Sequence, residues 1–279
     1  MDILITGAKG LLGTNIRPIL ERGHNVIALD IDEWDITDID RGEAVLNAYR
    51  PHVLINLAAI TDVDGCEAIP ELAEKVNAFG PAILARLCKD RGVKLIHFST
   101  DYIFDGRKAS PYREDDVPNP LSVYGRTKLL GERSILRIDP DATIIRTEWL
   151  YGDGGTNFIT KIIDVAKRQG RVAVVDDQLG SPTYAKEIAW PLKVIIEKGL
   201  TGIYHLSNKG ACTWYGMALE VFRCLEMDVE VRPIKSDLLD RKAKRPSYSV
   251  FDCTKIEKAT GIIMRGWQEA LRAYLGVAS

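Results

Sequence analysis

Residues 2–13 read DILITGAKGLLG: a short β-branched and aliphatic run, then glycines at Gly7, Gly10 and Gly13, then the start of an apolar-periodic segment. A strand that turns on glycines straight into a helix constrains the fold more than any bulk property, because so tight a turn needs residues without a Cβ clash. It also points backbone N–H groups outward at the positive end of a helix dipole, where a pyrophosphate can approach. A nucleotide is the natural ligand. An ATPase-type phosphate loop would need Gly-Lys-Ser/Thr at its end, and Gly13-Thr14-Asn15 supplies no lysine.

The rhythm repeats. Apolar runs at 25–29, 53–58, 93–98 and 142–147 alternate with amphipathic segments at about 11–22, 40–49, 68–91 and 122–137. Unbroken apolar strands between helices predict an α/β fold, a doubly wound parallel sheet covered on both faces, with ligands at the carboxyl ends of its strands. Beyond residue 150 the pattern loosens: helices are expected at 156–169, 184–198 and 214–226, and strands at 171–175 and 203–206. This divides the chain into a nucleotide-binding domain over 1–150 and a smaller, mainly substrate-binding lobe over 151–279. The lobe is interleaved if its two strands rejoin the main sheet, and the loop SDLLDRKAKRPSYS is expected to cover the crevice.

Bulk properties exclude several classes. A net charge of −2 with acids and bases interspersed gives no basic stripe for a nucleic-acid backbone. The five cysteines form no C-x-x-C pair, so neither a disulfide framework nor a zinc knuckle is indicated, and reduced cytoplasmic thiols are expected. The four histidines show no metal-ligand spacing, no metal is expected, and none is assigned to the chemistry. No leader pattern opens the chain and no apolar stretch approaches a membrane span, so the reading is a soluble protein with no membrane partner.

Two further patterns bear on chemistry. Asp30 ends the second apolar run, where an acid accepts hydrogen bonds from ribose hydroxyls; this favours NAD, although Lys9 offers a counter-charge to the 2′-phosphate of NADP. In NPLSVYGRTK, Tyr124 and Lys128 lie one helical turn apart, so the lysine cation can act on the phenol and bring it towards phenolate. That spacing alone is weak. FSTDYIFDG strengthens it by placing Ser99 and Thr100 at a strand end on the same crevice edge, completing a hydroxyl, phenol and ammonium set for acid-base work.

With these residues in view, the chain resembles the extended short-chain dehydrogenase/reductases, and among them the dTDP-4-dehydrorhamnose reductase family. ITGAKGLLG, ALDIDEWDITD, NLAAITDVDGCE, NAFGP, STDYIFDG, NPLSVYGRTKLLGE, RTEWLYG, DDQLGSPT, YHLSNKG, TWY and KRPSYSV carry the likeness over nearly the whole length. The resemblance implies a Rossmann-type fold, NADH or NADPH as cofactor, and reduction of a dTDP-linked 4-keto sugar. Tyr124 matches the proton donor, Lys128 the lysine that lowers its pKa and holds the nicotinamide ribose, and Thr100 the hydroxyl beside the sugar. Gly7, Gly10, Leu11, Leu12, Gly13, Asp30, Asp35, Ile36, Ala59, Ile60, Thr61, Asn77 and Ser99 match cofactor positions. Trp149 matches an aromatic over the sugar nucleotide; Asp101, Asp177, Gln178 and Arg245 are further candidates for the substrate side, Arg245 for its diphosphate.

Three residues depart from the family pattern: the Leu11-Leu12 pair, Ile60 in place of a frequent histidine, and Glu148 in place of a small residue before Trp149. The magnesium-binding glutamates of some members have no counterpart, and a homodimer is a possible assembly. Two rivals stay open. One is an epimerase or dehydratase with the same fold, although Thr100 is followed by Asp101-Tyr102 where a dehydratase needs Asp-Glu. The other is a binding subunit like the regulatory β subunit of methionine adenosyltransferase.

Overall fold

The computed structural model describes residues 1–277. Its centre is a parallel sheet of β1 (Asp2–Thr6), β2 (Asn25–Leu29), β3 (Val53–Asn56), β4 (Lys94–Thr100), β5 (Thr143–Thr147) and the strand Gly202–His205. The order across it is β2-β1-β3-β4-β5 and then Gly202–His205, every neighbouring pair parallel. Because side chains alternate along a strand, Ile3 and Ile5 join Ile55, Phe98 and Ile145 on one face, beneath α1 (Leu11–Leu20) and the helix Ala185–Lys198. Leu4, Leu54, Leu95 and Ile144 take the other face, against α2 (Ile39–Tyr49) and the helices Gly80–Arg91 and Val123–Ile138. Burial on both faces is why these strands read as unbroken apolar runs. Cutting a fully buried Ile5 or Ile55 to alanine would cost about 2–5 kcal/mol.

The strand order reverses at β1, which has β2 on one side and β3 on the other. Connections leaving such a point diverge, and the crevice between them is where an open α/β sheet takes its ligand. The glycine loop after β1 and the segment Leu57–Thr61 after β3 form its walls.

Two expectations are altered. The segment 68–91 is not one helix: Val63–Ala68 and Pro70–Glu74 precede a π-helical turn at Lys75–Phe79, and a regular helix resumes at Gly80. Of the two strands expected to rejoin the main sheet, Gly202–His205 pairs with β5, whereas Arg171–Val175 pairs with Glu230–Ile234 in a separate parallel pair. The sequence RVAVV carries the reason: Arg171 and Ala173 are exposed while Val172 and Val174 are buried. One wet face suits a half-covered ribbon, and Val172 and Val174 pack there with Ile159, Val221, Phe222 and Trp267. No helix among the described residues is long and apolar enough to cross a membrane.

Candidate active site

The crevice is a cleft of about 740 Å³. It brings together Gly7, Gly10, Leu11, Leu12, Gly13, Asp30, Asp35, Ile36, Ala59, Ile60, Thr61, Ser99, Thr100, Asp101, Tyr124, Lys128 and Trp149. At its floor the glycine turn is compulsory: Gly7 has φ +68°, and a Cβ there would sit 2.6 Å from the backbone nitrogen of Ala58. Gly10 caps α1 without any side-chain acceptor, which leaves the first-turn N–H groups for a ligand. Asp30 has a structural duty as well. Its Oδ2 accepts from the Lys9 backbone N–H at 2.7 Å and its Oδ1 from that of Ile31 at 2.9 Å, locking the loop against β2. The Lys9 ammonium meets Asp32 at 2.8 Å and Glu33 at 3.5 Å on the exposed side.

Four predicted residues stand outside the cleft lining. Asn77 lies in the π-helical turn, fully buried, and clamps Ile60: its Oδ1 accepts from the Ile60 N–H at 2.9 Å while its Nδ2 donates to the Ile60 carbonyl at 3.0 Å. It shapes the cleft wall through Ile60. Asp177 accepts from the N–H and hydroxyl of Ser236, and Gln178 is buried beside it, so both order the second lobe. The Arg245 guanidinium is engaged by Asp64 at 2.6 Å and by the Ala243 carbonyl at 3.0 Å, which fastens its loop to the helix Val63–Ala68.

Glu148, met above only as a departure, proves to be a tie between segments. Buried to 1% exposure, its carboxylate accepts from the N–H groups of Ser181 at 2.9 Å and Phe251 at 3.2 Å and from the Ser249 hydroxyl at 3.1 Å. Burial, with Asp101 nearby, holds its pKa well above the ordinary carboxylate value. Trp149, next in the chain, has φ +47°, an uncommon conformation for a bulky residue. Its indole stacks on Trp214 with centroids 3.5 Å apart and lies so close to Gly180 that a Cβ there would come within 2.4 Å. Trp214 is a residue that sequence reasoning gave no role.

Tyr124 lies in the first turn of its helix, which Ser122 caps by accepting from the Gly125 N–H at 3.2 Å. Thr100 ends β4; its hydroxyl accepts from the Tyr102 N–H at 3.2 Å and donates to Asp101 Oδ1 at 3.0 Å. Burial drives the Tyr124 phenol above its ordinary pKa and the Asp101 charge adds to this, while the Thr100 hydroxyl opposes it. The phenol therefore keeps its proton, the reverse of the expected pull towards phenolate. Lys128 spends its bonds elsewhere: its Nζ donates to the Phe98 carbonyl at 2.6 Å and meets His97 Nε2 at 3.2 Å. Burial lowers the Lys128 pKa to about 8, with Glu132 opposing. His97, to which the sequence assigned no part in the chemistry, is thus a direct neighbour of the lysine.

Three buried polar atoms on the cleft wall have no partner: Ser99 Oγ, Thr147 Oγ1 and Asp101 Oδ2. Burial, offset by its hydroxyl bonds, raises the Asp101 pKa to about 6. An unpaired buried polar atom costs about 1–3 kcal/mol, a cost that a ligand supplying the missing bond removes. The glycine cradle at one end and these atoms at the other fit a dinucleotide and a polar second substrate meeting at Tyr124. Among the described residues no group of three or more His, Cys, Asp or Glu side chains is placed to hold a metal.

The chain is similar to proteins of one family along its whole length. A reductase of Streptomyces griseus, dTDP-4-dehydrorhamnose reductase, is 44% identical over 276 residues, covering 96% of this chain and 91% of its own. The crystal structure of a Clostridium acetobutylicum dTDP-4-dehydrorhamnose reductase superposes with a TM-score of 0.96 at 42% identity, covering 99% of both chains. A Bacillus anthracis dTDP-4-dehydrorhamnose reductase, solved in complex with NADP, superposes with a TM-score of 0.95 at 34% identity over 98% of both chains. The family model described as RmlD substrate binding domain matches residues 1–278, and the chain belongs to that family.

Proposed function

We propose that this chain reduces the C4 carbonyl of dTDP-4-dehydro-L-rhamnose to the alcohol, using NADH or NADPH, and so forms dTDP-L-rhamnose. The observation that carries the reading is a buried Tyr124, its phenol held above its ordinary pKa by burial, beside the Thr100 hydroxyl in the same cleft as the Gly7–Gly13 loop. The nicotinamide, when bound, supplies the hydride. Tyr124 donates its phenolic proton to the carbonyl oxygen and Thr100 hydrogen-bonds that oxygen, so hydride and proton add across C=O. The first-turn N–H groups of α1 receive the pyrophosphate, and the Asp30 carboxylate fixes the loop that presents them. Trp149 on its Trp214 support offers a flat face to the sugar nucleotide, and Asp101 Oδ2 accepts from a sugar hydroxyl. The five cysteines are free thiols, in keeping with a cytoplasmic enzyme of sugar-nucleotide synthesis.

The test is oxidation of NADH and NADPH by purified protein with a panel of dTDP- and other nucleotide-linked 4-keto sugars. Turnover with the dTDP sugar, lost in Tyr124→Phe, is expected. Protein that binds the cofactor normally yet never oxidises it would sink the reading, and tightly retained NAD with no net consumption would move it to an epimerase.

A further inference from the structure

A line of buried hydrogen bonds runs beneath the cleft from the two cofactor-facing loops to Lys128. Thr6, the residue before Gly7, donates from its hydroxyl to Asn56 Oδ1 at 2.8 Å. Asn56 Nδ2 meets His97 Nδ1 at 2.9 Å, and His97 Nε2 meets Lys128 Nζ at 3.2 Å. Thr6, Asn56 and His97 are each buried to 1% exposure or less. They stand at polar positions inside strands that are otherwise apolar, where a polar group is costly unless its bonds are made.

The direction of this line is fixed at one end. The Ala58 backbone N–H also points at Asn56 Oδ1, at 3.1 Å, and a backbone N–H can only donate. Turning the amide over would set two donors against each other, so Nδ2 is the atom that faces His97 and it donates to Nδ1. A neutral imidazole that accepts at Nδ1 carries its proton on Nε2. That Nε2–H points at Lys128 Nζ, and an ammonium group has no lone pair with which to receive it.

We infer that His97, oriented by Asn56, is a positioning residue that presents its Nε2–H to Lys128 and so lets the lysine lose its charge at a lower pH in the cofactor-free protein. One N–H of the amine is used on the Phe98 carbonyl, its lone pair accepts from His97, and a second N–H stays free towards the cleft that Lys128 lines. Burial acts in the same direction, lowering Lys128 to about 8 and holding His97 well below its ordinary value. The charged or titratable groups facing Lys128 are His97 from β4 and Tyr124 and Glu132 from its own helix. Glu132 is itself held by Arg146 of β5 at 2.7 Å, and Arg146 also meets His205 Nε2 at 3.3 Å.

The assignment of roles to Lys128 and Tyr124 rests on the reductase reading, so the test uses the full chain without sugar and does not depend on turnover. Nitrogen NMR of the 15N-labelled protein reads the His97 tautomer directly, with His97→Gln to assign the signal. An Nε2–H tautomer, uncharged from about pH 6 to 9, is expected, together with a Lys128 Nζ resonance at the amine position above pH ~8.5. Asn56→Asp reverses the line: a carboxylate accepts from Nδ1–H, Nε2 becomes the acceptor, and the Lys128 midpoint rises by at least about one unit. An Nδ1–H tautomer in the parent protein, or an ammonium signal through pH ~9, overturns the inference. Neither parent measurement depends on the Asn56 variant folding.

Discussion

Two buried ionisable pairs flank Tyr124, one basic and one acidic, and burial presses both towards their uncharged forms. Lys128 and His97 are lowered, Asp101 and Glu148 raised. They differ in how their atoms are used. Both ring nitrogens of His97 are engaged, whereas Asp101 Oδ2 is buried with nothing to bond. A satisfied buried network fixes geometry and protonation; an unsatisfied atom stores a cost that a ligand relieves. In the proposed reaction the basic side orients the residues around the proton donor and Asp101 receives the substrate, while Glu148 ties the second lobe to the sheet.

Removing the residue between the pairs should have the largest effect. Tyr124→Phe is expected to lower kcat by about 10²–10⁴-fold with cofactor affinity unchanged, read by steady-state rates beside a fluorescence titration of the dinucleotide. A kcat within threefold of the parent would show that neither pair serves a proton transfer at Tyr124. On the acidic side, Glu148→Ala strands the N–H groups of Ser181 and Phe251 and should cost about 2–5 kcal/mol in urea unfolding. If the midpoint does not move, Glu148 is no tie and the contrast loses its structural half.

Asp101→Asn separates charge from shape. Burial raises the Asp101 pKa from 3.8 to about 6, so between these values the folded chain holds a proton that the unfolded chain has released. Stability therefore falls as pH rises through that window, by an amount on the order of 3 kcal/mol before Glu148 is allowed for. The asparagine variant should be more stable than the parent above pH 6, by roughly 1–3 kcal/mol, and should lose the advantage below pH ~4. Thermal unfolding at several pH values checks the sign; a parent that gains stability from pH 4 to 7 relative to the variant would contradict it. The smallest effect belongs to Trp149→Leu, which gives up the stack on Trp214, worth about 0.5–1.5 kcal/mol. KM for the sugar nucleotide should rise a few-fold to about tenfold with kcat nearly constant.

What the sequence disclosed was local. Gly7 to Gly13, Asp30, and the interval from Tyr124 to Lys128 are short-range patterns whose geometry follows from the element they lie in, so each could be placed without knowing its neighbours. Less legible are the contacts that come from distant partners: Arg245 meets Asp64 across 181 positions, and Glu148 reaches Phe251 across 103. Asn77 was assigned to the cofactor, yet its side chain is consumed by Ile60 because a π-helical turn carries it inward. A signal for the line under Lys128 was nevertheless present. Asn56 in VLIN and His97 in KLIHF interrupt strands buried on both faces, and a polar residue there must find a partner.

The strand Gly202–His205 has a consequence for how the chain comes together. It closes one edge of the sheet, and the helix Ala185–Lys198 roofs one of its faces, yet both arrive late in the chain. A ribosome that has released only residues 1–150 presents β5 as an open edge and the face of Ile3, Ile5 and Ile145 with α1 as its only helical cover. The first half is therefore expected to wait, sticky and chaperone-dependent, until the second is made. A fragment cut there would precipitate rather than bind a dinucleotide, and limited proteolysis should find no stable core ending near residue 150.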